Sequence, residues 1–234
     1  AEGLELVERS LRDQLVSQQE LIGTIGEHVL SSGGKRLRPA LLFLAAELCG
    51  YTGPRRVQVA AAVELLHTAS LLHDDVVDAS QLRRGNMTAN AVWGNEASVL
   101  VGDFLYSRAF EMMVDADDMR IMEIMSHATN TIAEGEVLQL LNCNDPDTDE
   151  DRYREVILRK TATLFEAGAR LGAIISDAEP AVEQAAAADA HRVGRSDARA
   201  GCHGGHVGRR LGGGRLQRSS DTAYGEIVTV TSSV

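Results

Sequence analysis

Apolar residues recur at helical steps along most of the chain, and most densely between Arg55 and Asp78. In Glu64-Leu-Leu-His-Thr-Ala-Ser-Leu-Leu-His-Asp-Asp-Val-Val-Asp78, the residues Leu65, Leu66, Leu71, Leu72, Val76 and Val77 keep that spacing with no Gly or Pro between them. The spacing predicts one buried helix beginning near Arg55. Upstream, Leu4, Leu11, Leu15, Leu21, Ile22 and Ile25 lie at near-helical steps among charges, so residues 2–30 read as an amphipathic helix. Ser31-Ser32-Gly33-Gly34 stops it, and an apolar helix follows from Ala40 to about Leu48. Gly85-Asn-Met-Thr88 breaks the central helix. A further helix runs from Asn95, a reasonable N-cap, to about Met113, with Asp103 as a second buried acid. Asp117 and Asp118 cap a helix that reaches about Leu141 and closes at Asn142 to Pro146. Thr148 and Asp149 offer caps for a last helix through Arg159 to Glu166. After about Ala190 the period is lost: His191 to Ser220 holds eight glycines, seven arginines and three histidines. Glu226 to Val234 alternates weakly, as a short strand would.

The chemistry on this frame is polar where it should not be. Asp74 and Asp78 are four apart and share a helix face, with Asp75 beside them. Three carboxylates on an apolar helix repel one another and need a cationic partner. A solvated helix end is the plain reading; a hard cation such as Mg2+, which takes one or two carboxylates plus substrate phosphates, is the sharper one. Arg83 and Arg84 follow at once, with forked donors suited to phosphate oxygens. Lys35-Arg36-Leu37-Arg38-Pro39 sets three cations beside a Gly-Gly turn, either a solvated loop or a diphosphate grip. Lys160, followed one turn on by Leu164 and Phe165, has part of its stem buried and needs an anion.

Composition narrows the classes. Alanine and leucine dominate, aromatics make up only 4%, and the expectation is an all-α protein. Net charge is −11, which argues against a general nucleic-acid binder. The charge is uneven: residues 1–190 carry 14 Arg and 2 Lys against 31 acids, whereas residues 191–220 carry seven Arg against one Asp. Lys35 and Lys160 are the only lysines, which singles out both positions. Cys49, Cys143 and Cys202 stand far apart, matching neither a disulfide framework nor zinc. No apolar run is long enough to span a membrane, and the acidic start resembles no signal peptide; a soluble, cytoplasmic protein is expected.

Five segments occur in a recognisable order. They are Gly33-Gly-Lys-Arg-Leu-Arg-Pro39, Leu72-His-Asp-Asp-Val-Val-Asp78 with Arg83-Arg84-Gly85, Val101-Gly-Asp-Phe-Leu-Tyr106, Gly135-Glu-Val-Leu-Gln139 and Lys160-Thr-Ala162. Together they resemble the trans-isoprenyl diphosphate synthases, or polyprenyl synthetases, of the bacterial octaprenyl diphosphate type. The likeness covers about residues 2–190. It implies a helical bundle around a deep central cavity, usually homodimeric. It also implies condensation of isopentenyl diphosphate onto an allylic diphosphate such as farnesyl diphosphate, for quinone side chains. By resemblance, Asp74, Asp75 and Asp78 hold Mg2+, and Arg83, Lys160, Thr161 and Gln139 contact the allylic diphosphate. Lys35, Arg38, His67 and Arg84 bind isopentenyl diphosphate, with Arg36 in the same grip. Ala69 and Ser70, about one turn before Asp74, leave room for a growing prenyl tail, so a product beyond the farnesyl class is expected.

The resemblance stops at the Gly/Arg/His tract. A second aspartate-rich motif belongs there in the family, yet no acid lies between Asp197 and Asp221. We therefore read 1–190 as the N-terminal two-thirds of a synthase domain and 191–234 as an irregular tail, with a shifted reading frame as one origin. The alternative to an active synthase is a truncated, catalytically weak diphosphate-binding subunit that pairs with a complete one. A terpene cyclase ranks last, since it needs no isopentenyl diphosphate grip at Gly33 to Pro39.

Overall fold

The computed structural model describes residues 2–142, Asp145 and residues 149–204. It is built from helices α1 (Glu2–Asp13), α2 (Glu20–Ser31), α3 (Leu37–Leu48), α4 (Arg55–Val77), α5 (Ala89–Trp93), α6 (Asn95–Asp115), α7 (Met119–Asn142), α8 (Glu150–Ile157), α9 (Thr163–Ile174) and α10 (Pro180–Gly204), with a π-helical turn, Leu158–Ala162, between α8 and α9. A small hairpin pairs β1 (Leu82–Arg83) with β2 (Asn86–Met87). The all-α expectation holds for the described residues, with that hairpin as an addition.

The long helix α4 organises the rest. Its residues 59–69 are all buried, so the helix is enclosed on every side. α6, α1, α3 and α9 pack on it. Ser98 on α6 donates to the Leu72 carbonyl at 3.1 Å, so even its polar contacts serve the packing. The α3–α9 contact is tighter still: a Cβ placed on Gly172 would lie 2.5 Å from the Leu42 carbonyl oxygen and 2.8 Å from the Ala45 Cβ.

Four expectations change. The single helix over residues 2–30 is two, because the chain doubles back so that Leu15 seats on Gly26, where a Cβ would approach Leu15 Cδ2 to 2.4 Å; Arg12 on α1 then reaches Glu27 on α2 at 3.2 Å. The hairpin was not foreseen. Its two-residue loop, Arg84-Gly85, has φ values of 53° and 82°, and positive φ at both central positions defines a type I′ turn. Asp103 is exposed, not buried, and faces His73 Nε2 at 3.2 Å. Helix also persists beyond Ala190, to Gly204. Gly194 does not end it; this glycine lets α10 lie against the π-turn, 2.8 Å from Ala162 Cα as measured from an added Cβ. Residues 205–234, with the remainder of the Gly/Arg/His tract and the short strand, lie outside the described residues, as do Cys143, Thr148 and the side chain of Cys202. The expected caps Asp118 and Asp149 are present, accepting from the backbone N–H of Arg120 at 3.0 Å and of Arg152 at 2.8 Å. Among the described residues no helix is long and apolar enough to cross a membrane.

Gly172→Ala should destabilise the fold by about 1–3 kcal/mol, because the added methyl meets backbone that cannot rotate away. A lowered midpoint in urea unfolding checks this; an unchanged midpoint would show that α3 and α9 can separate freely.

Candidate diphosphate and metal site

The site grows out of the C-terminal end of α4, where adjacent aspartates face different partners. Asp75 is buried and takes a bidentate grip from Arg83, with Nη2–Oδ1 at 2.8 Å and Nε to both oxygens at 3.1 Å. The hairpin exists to bring Arg83 back over the helix that precedes it. Thr88 Oγ1 and Asn90 Nδ2 donate to the Ser80 carbonyl, and Asn90 Nδ2 also to that of Asp75, which fixes the return of the chain. Asp74, one residue earlier, faces α7 and the π-turn, with Lys160 Nζ at 3.7 Å.

Lys160 is held from α7. Its Nζ lies 2.6 Å from Glu136 Oε2 and 2.9 Å from Gln139 Oε1. A π-turn takes one more residue than an α-turn and re-aims its side chains. Gly135 makes room for it, since a Cβ there would come within 2.8 Å of Arg159 Cβ and 3.3 Å of Lys160 Cγ. Burial disfavours the ammonium, yet Asp74 and Glu136 outweigh burial and hold the Lys160 pKa above its ordinary value. Burial raises the Asp74 carboxyl; Lys160 and Arg83 oppose that shift, while Asp78 and Asp75 add to it. Glu136 is pushed up to about 7, first by burial and then by Asp74. This cluster carries more negative charge than Lys160 alone neutralises. Thr161 is buried next to it.

Along the same face of α4, adjoining this cluster, lies a cavity of about 600 Å³. Lys35, Arg36 and Arg38 come to its wall from the Gly-Gly turn, Arg83 and Arg84 from the hairpin, and His67 from α4. Gly33 has φ of 78°, a left-handed turn that glycine favours. At Gly34 a Cβ would come within 3.2 Å of Arg84 Nη1 and 3.3 Å of Arg36 Nη1, so the missing side chain is what lets both guanidinium groups close in. His67 is driven well below its ordinary pKa, first by burial and then by Arg38, Arg83, Arg84 and Arg36, so its ring is neutral. Phe165 lines the cavity and carries the Arg38 guanidinium 4.7 Å above its ring. Lys35 is exposed and meets Asp197 of α10 at 3.4 Å.

The structure thus brings the candidates together in two adjoining groups. Lys35, Arg36, Arg38, His67, Arg83 and Arg84 share the cavity with Asp75; Asp74, Lys160 and Gln139 form the acidic cluster, with half-buried Asp78 close enough to act on Asp74 and Lys160. Ala69 is fully buried in the core and Ser70 donates to the His67 carbonyl at 2.8 Å; neither is on the wall of this cavity. Residues without an assigned role in the sequence reading are Glu136, Phe165, Glu64 and Asp197. The signal for Glu136 was its spacing from Gln139, which puts both on the α7 face toward Lys160.

Among the described residues no three His, Cys, Asp or Glu side chains converge as a closed metal centre. A hard cation shared with a diphosphate does not need one, because it takes one or two carboxylates and keeps its other positions for phosphate and water. Asp74 and Asp78, oxygen donors on one face with unfavourable mutual charge, fit that requirement. Asp75 does not, for Arg83 occupies both of its oxygens.

A helical protein with a cationic cavity beside a carboxylate–lysine cluster has the means to seat an anion and, next to it, a cation. Comparison with known proteins makes this specific: residues 19–196 match the polyprenyl synthetase family, and the chain belongs to it. It is 52% identical over 178 residues to the octaprenyl diphosphate synthase of Escherichia coli (strain K12), a match covering 76% of this chain and 55% of that protein. The crystal structure of a decaprenyl diphosphate synthase from Rhodobacter capsulatus superposes with a TM-score of 0.82 at 43% identity, covering 89% of this chain and 66% of the other. A polyprenyl synthase from Caulobacter crescentus CB15, solved with calcium and isoprenyl diphosphate, gives 0.80 at 44% identity, covering 82% and 58%. The chain therefore spans about half the length of the curated relatives it matches.

Glu136 binds a proton more tightly when folded than in an unfolded chain, so its burial costs stability as pH rises from about 4.5 toward about 7. Glu136→Gln should flatten that segment of the stability–pH curve and raise Tm at pH 8. A parent and variant with parallel Tm profiles across this window would show that Glu136 titrates normally.

Proposed function

We propose that the chain is the N-terminal part of a long-chain trans-polyprenyl diphosphate synthase of the octaprenyl type. It would add isopentenyl diphosphate to an allylic diphosphate, with farnesyl diphosphate as the favoured primer, for quinone side chains. The observation that carries this reading is the division of charge at the C-terminal end of α4. Asp74 meets Lys160, and its neighbour Asp75 meets Arg83 at the adjoining cavity. Two diphosphates need two seats, and here an acidic seat suited to a metal-bound diphosphate and a basic seat suited to a bare one meet at one pair of aspartates.

In this reading Asp74 and Asp78 hold Mg2+, which supplies electrostatic stabilisation of a departing diphosphate. Lys160, kept charged by Asp74 and Glu136, and Arg83 place fixed positive charge where that leaving group gains negative charge. Lys35, Arg38 and Arg84 bind the second diphosphate, and neutral His67 offers it a hydrogen bond without a further charge. Leu71 and Phe165 keep part of the cavity apolar, which protects an allylic cation from water. Among the described acids of the cavity wall, Asp75 and Glu64 are tied to arginines and Asp197 to Lys35, and released diphosphate can accept the proton lost after addition. A homodimer is proposed on the family likeness alone. The rival reading, a weakly active diphosphate-binding subunit, is less favoured, because relatives at 52% identity carry the name of the synthase itself.

Purified protein incubated with Mg2+, farnesyl diphosphate and labelled isopentenyl diphosphate should yield long polyprenyl products. Lys160→Ala should lower kcat by about a hundredfold, the scale of losing one preorganised transition-state charge. Diphosphate binding with no turnover in the parent would favour the subunit reading. Chain length is read from Ser70→Phe: shorter products place this level of α4 on the path of the tail, and an unchanged distribution removes it.

A further inference from the structure

Arg36 is placed differently from its neighbours in the Gly-Gly loop. It lies on the cavity wall, yet its side chain is only 11% exposed and each of its three guanidinium nitrogens already donates a hydrogen bond. Nε reaches Glu8 Oε1 on α1 at 2.6 Å, Nη1 reaches Glu64 Oε1 on α4 at 2.8 Å, and Nη2 approaches the Leu30 carbonyl at 3.4 Å. The backbone of Arg36 is left-handed, with φ of 47°, at the residue that caps α3. A non-glycine residue in that region is strained by roughly 1–3 kcal/mol and persists only where its surroundings enforce it. Two carboxylates on two different helices do so here. Charge-assisted hydrogen bonds of this length are the strong kind, and Glu64 is itself buried. The turn they enforce determines where Lys35, just before it, and Arg38, just after it, stand against the cavity.

We propose that Glu8 is a positioning residue for the isopentenyl diphosphate end of the cavity, acting through Arg36 to set the left-handed turn between Lys35 and Arg38. The inference rests on the reading of that cavity given above. It gives α1 a part in the site, although Glu8 lies outside residues 19–196 that match the family. It also removes Arg36 from the substrate grip: with its charge met by Glu8 and Glu64, Arg36 holds the loop and leaves Lys35, Arg38 and Arg84 to meet phosphate. The same two carboxylates outweigh burial and keep Arg36 firmly protonated, so the clamp does not open within the physiological pH range.

The test is calorimetric titration of the full chain, in Mg2+, with isopentenyl diphosphate and separately with farnesyl diphosphate. Glu8→Gln removes the charge at nearly constant shape. It should weaken isopentenyl diphosphate about tenfold, as expected for loss of one charge-assisted hydrogen bond, and change farnesyl diphosphate less than about twofold. Glu8→Asp should recover part of the loss, and Glu8→Gln combined with Arg36→Ala should be no weaker than Arg36→Ala alone, since both act in one linkage. Leu11→Ala separates positioning from simple loosening of α1: Leu11 is fully buried on the same helix and makes no polar contact to the loop. It should lower Tm without the ligand-selective change. Equal weakening of both ligands, weakening that follows Tm in Leu11→Ala, or additive losses in the double variant would overturn the proposal. If the parent binds farnesyl diphosphate but no isopentenyl diphosphate, the assignment of the cavity fails and this role fails with it. Unaltered binding in Glu8→Gln refutes the role of Glu8 alone.

Discussion

Placing neighbouring carboxylates at the end of a buried helix is the constraint that the rest of the molecule answers. Asp74 and Asp75 sit where α4 is enclosed by other helices, and carboxylates there cannot rely on water for solvation. Each has been given a cation by a different device. The hairpin at Leu82–Met87 folds Arg83 back on Asp75, and the π-turn at Leu158–Ala162 delivers Lys160 to Asp74. Both devices are local departures from regular helix. Each is made possible by glycine: Gly85 in the hairpin loop and Gly135 opposite the π-turn. An isolated buried ion pair is poor evidence of stability, and these pairs are better understood as places where charge is stored for a ligand.

The charge balance explains the division of labour. Around Lys160 there is an excess of acid, with Asp74 and Glu136 both against its ammonium; burial first, and for Glu136 then Asp74, raises their carboxyl pKa values. Around the cavity there is an excess of arginine, which adds to burial in keeping His67 neutral. An acidic seat calls for a cation as well as an anion, whereas a basic seat takes an anion directly. A divalent ion with one diphosphate in the first seat, and a diphosphate without its own metal in the second, would satisfy both. Glu8 and Glu64 fit the same pattern, since they take Arg36 out of the basic seat and put it to structural use.

Much of this was legible in the residues. The apolar period of α4 gave its buried course, the spacing of Asp74 and Asp78 gave a shared face, and the scarcity of lysine singled out Lys35 and Lys160. What could not be read was direction. Nothing in the local pattern says that Asp74 and Asp75 part company toward different partners, or that Arg36, one residue from Lys35, turns inward to Glu8 and Glu64. Those outcomes depend on contacts between residues far apart in sequence, including Glu8 with Arg36 and Gln139 with Lys160. Composition misled at two points. Gly194 and the arginines around it suggested loss of helix, yet Gly194 is a packing glycine and arginine is a good helix former. The continuous period from residue 2 to 30 concealed a reversal whose only sign was Gly26 opposite Leu15.

The central claim is that the acidic seat binds a diphosphate through a divalent cation. Its most direct measurement is equilibrium binding of a farnesyl thiolodiphosphate, which resists ionisation, to the parent chain and to Asp74→Asn, each with Mg2+ and with chelator. The account predicts tight binding only in the parent with Mg2+, and weak binding in the other three conditions. Affinity that is the same with and without the metal, or that survives Asp74→Asn unchanged, would contradict it.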